Sequence, residues 1–222
     1  MLKGEKMKIV CISDTHGQHK SKKLTQKLID SGADMLLYAG DLQANHFDNG
    51  VSFINWLNLL PIKYKVCTFG NHDFSYKETL KYSKKFDNTY FLVNESVEIE
   101  GLKIFGSPYS LPFGNWAFME SDDILKEYYS KIPDDTDILI THGAPFSILD
   151  KTWTDIRTGS VSLLERVQEL KNLKLHVFGH IHESYGIDFT GKYVNASSLN
   201  ERHKMKNDPV IIDRIYLEKE NL

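Results

Sequence analysis

Cysteine is scarce: Cys11 and Cys67 are the only two in a chain of 222 residues. Both sit inside apolar, strand-like runs, so they read as reduced core residues rather than as a disulfide framework, and the expected location is cytoplasmic. Long apolar runs are missing as well. None approaches the roughly 20 residues of a membrane span, and the first residues carry no secretory apolar region. Neither sign of charge dominates. The 27 basic and 30 acidic residues leave a net charge of -3, which argues against an extended nucleic-acid surface. No linker, repeat or low-complexity segment divides the chain, so one α/β domain over 1–222 is expected, with 1–6 as a short extension before Met7.

What is present is an alternation of apolar runs and amphipathic segments. Ser21 to Ser31 carries Leu24, Leu28 and Ile29 at helical spacing and stops at Gly32; Val51 to Leu60 repeats the pattern before Pro61. Between them, Ile9 to Ile12, Met35 to Ala39 and Tyr64 to Phe69 read as strands, and the β-α-β-α-β rhythm predicts a largely parallel sheet. Tyr90 to Val93, Val97 to Ile99 and Lys103 to Phe105 are expected to form an antiparallel meander. Ser107 to Trp116, rich in Pro, Gly and aromatics, is a loop of unassigned role continuing to Phe118. A helix over about Asp122 to Lys131, a second one started by the Ser162/Glu165 capping box, and strands at Ile138 to Ile140 and Leu175 to Phe178 follow. Short strands around Ile187, Tyr193 and Val210 to Tyr216 complete the chain.

The chemistry lies where the strands stop. Five strand ends run into Asp14 and His16, Asp41, Asn71 and His72, His142, and His180 with His182. In open α/β sheets, ligands gather at the carboxyl ends of strands. Oxygen and imidazole donors without thiolate suit Mn, Fe or Zn. Apart from His72, the seven side chains exceed the needs of one tetrahedral ion, whereas two divalent or trivalent ions sharing a carboxylate, with Asp41 as the candidate bridge, would use them all. Gly40, Gly70, Gly143 and Gly179 read either as turn residues or as places where backbone packs beside ions. His19, His46, His176 and His203 do not close a strand in this way and are assigned ordinary structural roles. Lys77, Lys81, Lys84 and Lys85 read as a solvated helix face, Trp56 as core, and Phe113, Trp116 and Phe118 as loop packing rather than a base-stacking platform.

Asp14-x-His16, Gly40-Asp41, Gly70-Asn71-His72-Asp73, Thr141-His142-Gly143 and Gly179-His180-Ile181-His182 together resemble the signature of calcineurin-like metallophosphoesterases. Gly106-Ser107-Pro108-Tyr109, Asn115-Trp116-Ala117-Phe118, Leu175-His176-Val177-Phe178-Gly179-His180-Ile181-His182-Glu183, Asn195-Ala196-Ser197 and Asp208-Pro209-Val210-Ile211-Ile212-Asp213 are similar to the metallophosphoesterase-domain-containing branch of class III cyclic nucleotide phosphodiesterases. The resemblance implies a two-sheet β-sandwich flanked by helices, with Asp14, His16 and His182 on one metal, Asn71, His142 and His180 on the other, and Asp41 bridging. It also implies that His72 faces the substrate as a catalytic residue, and that a metal-bound hydroxide attacks phosphorus in line.

Leu42-Gln43-Ala44-Asn45-His46 stands where Ser/Thr protein phosphatases carry an arginine-bearing extension, which counts against a phosphoprotein substrate. Leu42 also replaces the branch's usual aromatic, and Phe146 to Thr158 is the segment that matches the branch least. The expected activity is hydrolysis of small phosphodiesters, cyclic nucleotides among them. A phosphomonoesterase or nuclease on the same metals, or a non-catalytic metal-binding scaffold, are the alternatives. The expected partner is a small phosphoester such as a nucleotide, with no membrane, and a homodimer stays open.

Overall fold

Alternation along the strands decides the layering. In β1 (Lys6–Ile12), Ile9 and Cys11 point into one buried cluster while Val10 and Ile12 point into another. A strand that is apolar on both faces must be covered twice, and here a second sheet covers one face and helices cover the other. The computed structural model describes residues 6–43 and 50–216; the expected extension over 1–6 lies outside them except for Lys6, which opens β1.

From β1 the chain runs through α1 (Lys22–Asp30), β2 (Met35–Ala39), α2 (Val51–Leu59), β3 (Tyr64–Thr68), α3 (Tyr76–Ser83) and β4 (Thr89–Phe91). The strands β1 to β4 are parallel neighbours in one sheet, and β11 (Val210–Tyr216) pairs antiparallel with β1 at its edge. The other sheet comprises β5 (Glu95–Ile99), β6 (Leu102–Ser107), β7 (Ile138–Thr141), β8 (Leu175–Phe178), β10 (Tyr193–Asn195) and β9 (Gly186–Ile187), in that spatial order. Its centre is parallel and its two edge pairs are antiparallel, so both sheets are mixed. Leu37, Val66, Ile104, Ile140 and Val177 fill the space between the sheets. Outside, Leu24, Leu28, Phe53 and Trp56 cover the first sheet, and Leu125 and Tyr129 of α4 (Asp122–Tyr129) with Leu163 and Val167 of α5 (Val161–Glu169) cover the second. Each such fully buried aliphatic side chain contributes roughly 1.5–3 kcal/mol. The architecture is the expected two-sheet α/β sandwich flanked by helices.

Two local expectations need correction. The segment at Tyr90 does not join an antiparallel meander, because Thr89–Phe91 pairs parallel with β3. Helix α3 supplies the crossover that a parallel partner requires, and the chain changes sheets only after it, before β5 pairs antiparallel with β6. The cap of α5 is Ser160 rather than Ser162: the Ser160 side chain accepts from Leu163 N at 3.0 Å. Ser162 already lies inside the helix, where its hydroxyl donates to Asp122 O at 2.8 Å. Cys11 and Cys67 are buried and free, and burial pushes both thiols far up. Lys77, Lys81, Lys84 and Lys85 are exposed, as a solvated face requires. Among the described residues, no helix is long and apolar enough to cross a membrane.

Candidate metal centre

The five candidate strand ends come from both sheets: β1, β2 and β3 from the first, β7 and β8 from the second. Parallel pairing within each sheet brings their carboxyl ends to one edge, and the loops that follow face one another across it. Asp14, His16, Asp41 and His180 all adopt left-handed backbone, with φ between 41° and 69°. Such conformations are costly for residues with a Cβ and persist where the surroundings over-determine them. Here the ladder continues into the loops, with Asp14 N donating to Gly40 O and His16 N to Asp41 O, both at 3.0 Å.

Three groups of donors converge to within 4.8 Å: Asp14, His16 and His182; Asp14, Asp41 and His142; and His16, Asp41 and His72. Asp41 Oδ2 stands 3.5 Å from His16 Nε2 and 3.4 Å from His142 Nε2, so one carboxylate faces both sides. Asn71 Oδ1 lies 2.8 Å from His142 Nε2. His180 joins none of these three groups but packs its ring against His142, with centroids 4.9 Å apart.

The orientation of the imidazoles comes from behind. His142 Nδ1 donates to Ala39 O at 2.9 Å and His182 Nδ1 to Asn200 O at 3.1 Å, leaving each Nε2 directed at the site. Around His142 Nε2, the Asn71 and Asp41 oxygens are both acceptors. A proton on Nε2 or a cation among the three reconciles them, and the N/O donor set fits a hard or borderline cation. Asp14 accepts from His180 N at 3.1 Å and from Ser197 Oγ at 2.8 Å; Asp41 accepts from His72 N at 2.8 Å. Asp73 accepts from Asp41 N, Gly70 N and Gln43 N at 2.8–3.0 Å, locking two of the loops together.

Burial leaves no room for extra carbon. A Cβ on Gly70 would lie 2.3 Å from Asp41 Oδ1, and one on Gly179 would lie 2.1 Å from Asp14 Oδ2. The close-approach reading of these glycines therefore holds, although their task in the structure is to admit carboxylates.

The charges are strongly mutual. Burial would raise Asp14 and Asp41, but His182 for the first and His142 for the second hold them below the usual carboxylate range. The same pairs, working against burial, push His142 and His182 up to about 9. Burial prevails elsewhere: it lowers His16 to about 4 and, with the His142 charge, His180 to about 3. His72 is lowered chiefly by burial, while burial and the Asp41 charge push Asp73 well up. Two carboxylates thus lie against two imidazoles, an arrangement in which a cation and a proton would compete for the same atoms.

A cavity of about 400 Å³ opens above these donors. One wall is aromatic: Trp116 lies against His72 with centroids 4.3 Å apart, and Phe113, 66% exposed, lies 5.4 Å from His180. Phe118 packs within the loop as expected, stacked at 10° on Phe69, while Phe113 and Trp116 line the cavity. Their loop is drawn to the site by Ala117 N donating to Asn71 O at 3.0 Å. Glu183, Glu201 and His203 also line the cavity. His203, expected to have an ordinary structural role, is thus one of the lining residues: its ring centroid lies 5.0 Å from His16 and 5.1 Å from His182. The sequence signal available was its place, a few residues beyond Asn195-Ala196-Ser197. His19 bonds Ser52 and His176 bonds Thr141, both away from the cavity, and His46 lies outside the described residues.

Residues 7–184 match the family described as calcineurin-like phosphoesterase. Metallophosphoesterase domain-containing protein 1 of Homo sapiens and that of Mus musculus are each 34% identical over 235 residues, covering 93% of this chain and 70% of theirs. Among solved structures, a Thermus thermophilus protein superposes with a TM-score of 0.65 at 14% identity, over 94% of this chain and 99% of its own. Phosphopantetheinyl hydrolase of Mycobacterium tuberculosis gives 0.56 at 14% identity, over 90% of this chain and 92% of its own. At such identities these two likenesses speak for the fold alone.

Proposed function

The chain belongs to the calcineurin-like phosphoesterase family, and from that premise we propose that it is a dimetal hydrolase of small phosphodiesters, cyclic nucleotides among them. The observation that carries the reading is the convergence of oxygen and imidazole donors, without thiolate, from five strand ends of two sheets beneath one ligand-sized cavity. A small phosphoester is the occupant favoured by a cavity of about 400 Å³, which is too confined for a protein surface.

In this reading Asp14, His16 and His182 would hold one ion, Asn71, His142 and His180 would hold the other, and Asp41 would serve both. Two bound cations polarise a phosphoryl oxygen and lower the proton affinity of water. The remaining work belongs to the chain. Ala39 and Asn200 carbonyls fix the tautomers of His142 and His182, so that Nε2 would be the ligating atom in each. His72 projects into the cavity between His16 and Trp116, where its ring N–H stabilises the reacting phosphate and reaches the leaving oxygen. The aromatic wall excludes water from that side and seats the organic part of the ester.

The test is hydrolysis of an aryl phosphodiester by Mn-loaded protein, beside the matching monoester and a chelated control. Chelator-sensitive turnover that favours the diester supports the proposal. A monoester preference replaces the diester reading with a phosphomonoesterase, and a folded, metal-loaded protein that cleaves neither, with any of several metals, removes the hydrolase reading.

A further inference from the structure

His203 stands in a tight turn whose geometry is centred on Asn200. The Asn200 side-chain oxygen accepts from Arg202 N at 3.1 Å and Lys204 N at 3.0 Å, and its carbonyl accepts from His203 N at 2.9 Å. That same carbonyl accepts from His182 Nδ1, so one peptide oxygen holds both a candidate metal ligand and His203. From the other side, Gln18 Nε2 donates to His203 O at 3.0 Å. His203 itself has φ 52°, a left-handed conformation that this clamping maintains. The backbone is fixed while the imidazole faces the cavity, edge-on to His16 and His182 at 68° and 66°.

The lining explains what such a ring can do. Beyond the candidate metal ligands, His72 and the aromatic wall, the cavity is lined by Glu183 and Glu201, carboxylates that repel a phosphate, and by His203, which offers a ring N–H. His72 faces His16 at 4.6 Å, and His203 faces it at 5.0 Å, so both non-ligand imidazoles lie beside the same candidate metal ligand. We propose that His203 is a substrate-binding residue that donates a hydrogen bond to a phosphoryl oxygen of the bound ester. The proposal rests on the phosphoesterase reading for its ester, but not for the phosphate group itself. A donor that holds a phosphoryl oxygen before and during reaction contributes uniform binding, so its loss raises KM and leaves kcat nearly unchanged.

The experiment compares wild type with His203→Ala and His203→Gln, all Mn-loaded, in three measurements: aryl diester kinetics, metal content, and calorimetric binding of inorganic phosphate. His203→Ala is expected to raise KM and weaken phosphate binding, each by about 10-fold or more, at unchanged metal content. His203→Gln, whose amide N–H reaches toward the same region, is expected to recover part of both. Unchanged KM and phosphate affinity in His203→Ala overturn the proposal, as does loss of metal in step with loss of binding, which would make the residue a support of the metal ligands. If wild type hydrolyses no ester, the phosphoesterase reading fails by itself, and the phosphate isotherms still decide whether His203 binds the anion.

Discussion

Replacing Gly179 by alanine sets one methyl group against the side chains of Asp14 and Ser13. The added methyl would lie 2.1 Å from Asp14 Oδ2 and 2.2 Å from Ser13 Oγ, where ordinary contact begins near 3.4 Å. Gly179 lacks the positive φ seen at Gly40, so alanine meets no backbone penalty and the conflict is wholly steric. The Asp14 carboxylate must retreat by about 1.3 Å with the Ser13 side chain giving way beside it, or the β8 end must move by a similar amount. Metal ligands tolerate about 0.2 Å before geometry suffers, and a misplacement of about 1 Å in a catalytic constellation costs about 100-fold. Gly179→Ala should therefore fold, bind Mn more weakly, and lose about 100-fold in kcat/KM on an aryl phosphodiester. Gly191→Ala is the control. Nothing lies within 4 Å of its Cβ, but φ is 74°, so it should cost about 1 kcal/mol of stability and no activity. Circular dichroism, metal content and kinetics on the two proteins separate the effects. Full metal affinity and activity in Gly179→Ala would refute the placement of Asp14 at the metal.

Asp41→Asn should weaken metal binding by about 10-fold or more on both sides of the site, because its carboxylate faces His16 and His142 together; mass spectrometry of dialysed protein checks the content. His72→Ala should lower kcat by about 100-fold while keeping wild-type metal content, and normal turnover would remove its role. His176 supplies a pH prediction away from the metals. Burial lowers it to about 3, below the ordinary 6.5, so as pH falls the unfolded chain takes up the proton first. The stability it contributes is complete above pH 6.5 and is lost toward pH 3, at about 1.4 kcal/mol per pH unit. Urea unfolding of chelated wild type and His176→Asn from pH 7 to 5 should show the smaller slope in the variant; equal slopes would contradict this.

The sandwich was legible because strands apolar on both faces, such as Ile9 to Ile12, demand two covers, and because donors close those strands at one end. The partners of short strands were harder to read. Thr89–Phe91 has three residues, and its parallel pairing is dictated by α3, whose charged face masks a crossover helix. The α5 cap was misplaced by two residues because Ser160 and Ser162 both offer a hydroxyl, and only tertiary contact with Asp122 separates their roles. That Phe113, Trp116 and His203 line the cavity was hidden for a related reason. Each reaches the cavity through a loop held by a partner distant in sequence, Asn71 for one loop and Gln18 for the other, and periodicity carries no trace of such long-range clamps.

The most direct test is a metal titration of chelated protein, reading Mn bound per chain and diester turnover on the same samples. The account predicts that binding saturates at two ions per chain and that turnover rises with the second, vanishing again on chelation. Full turnover with no metal, or saturation at a single ion with full turnover, would contradict it.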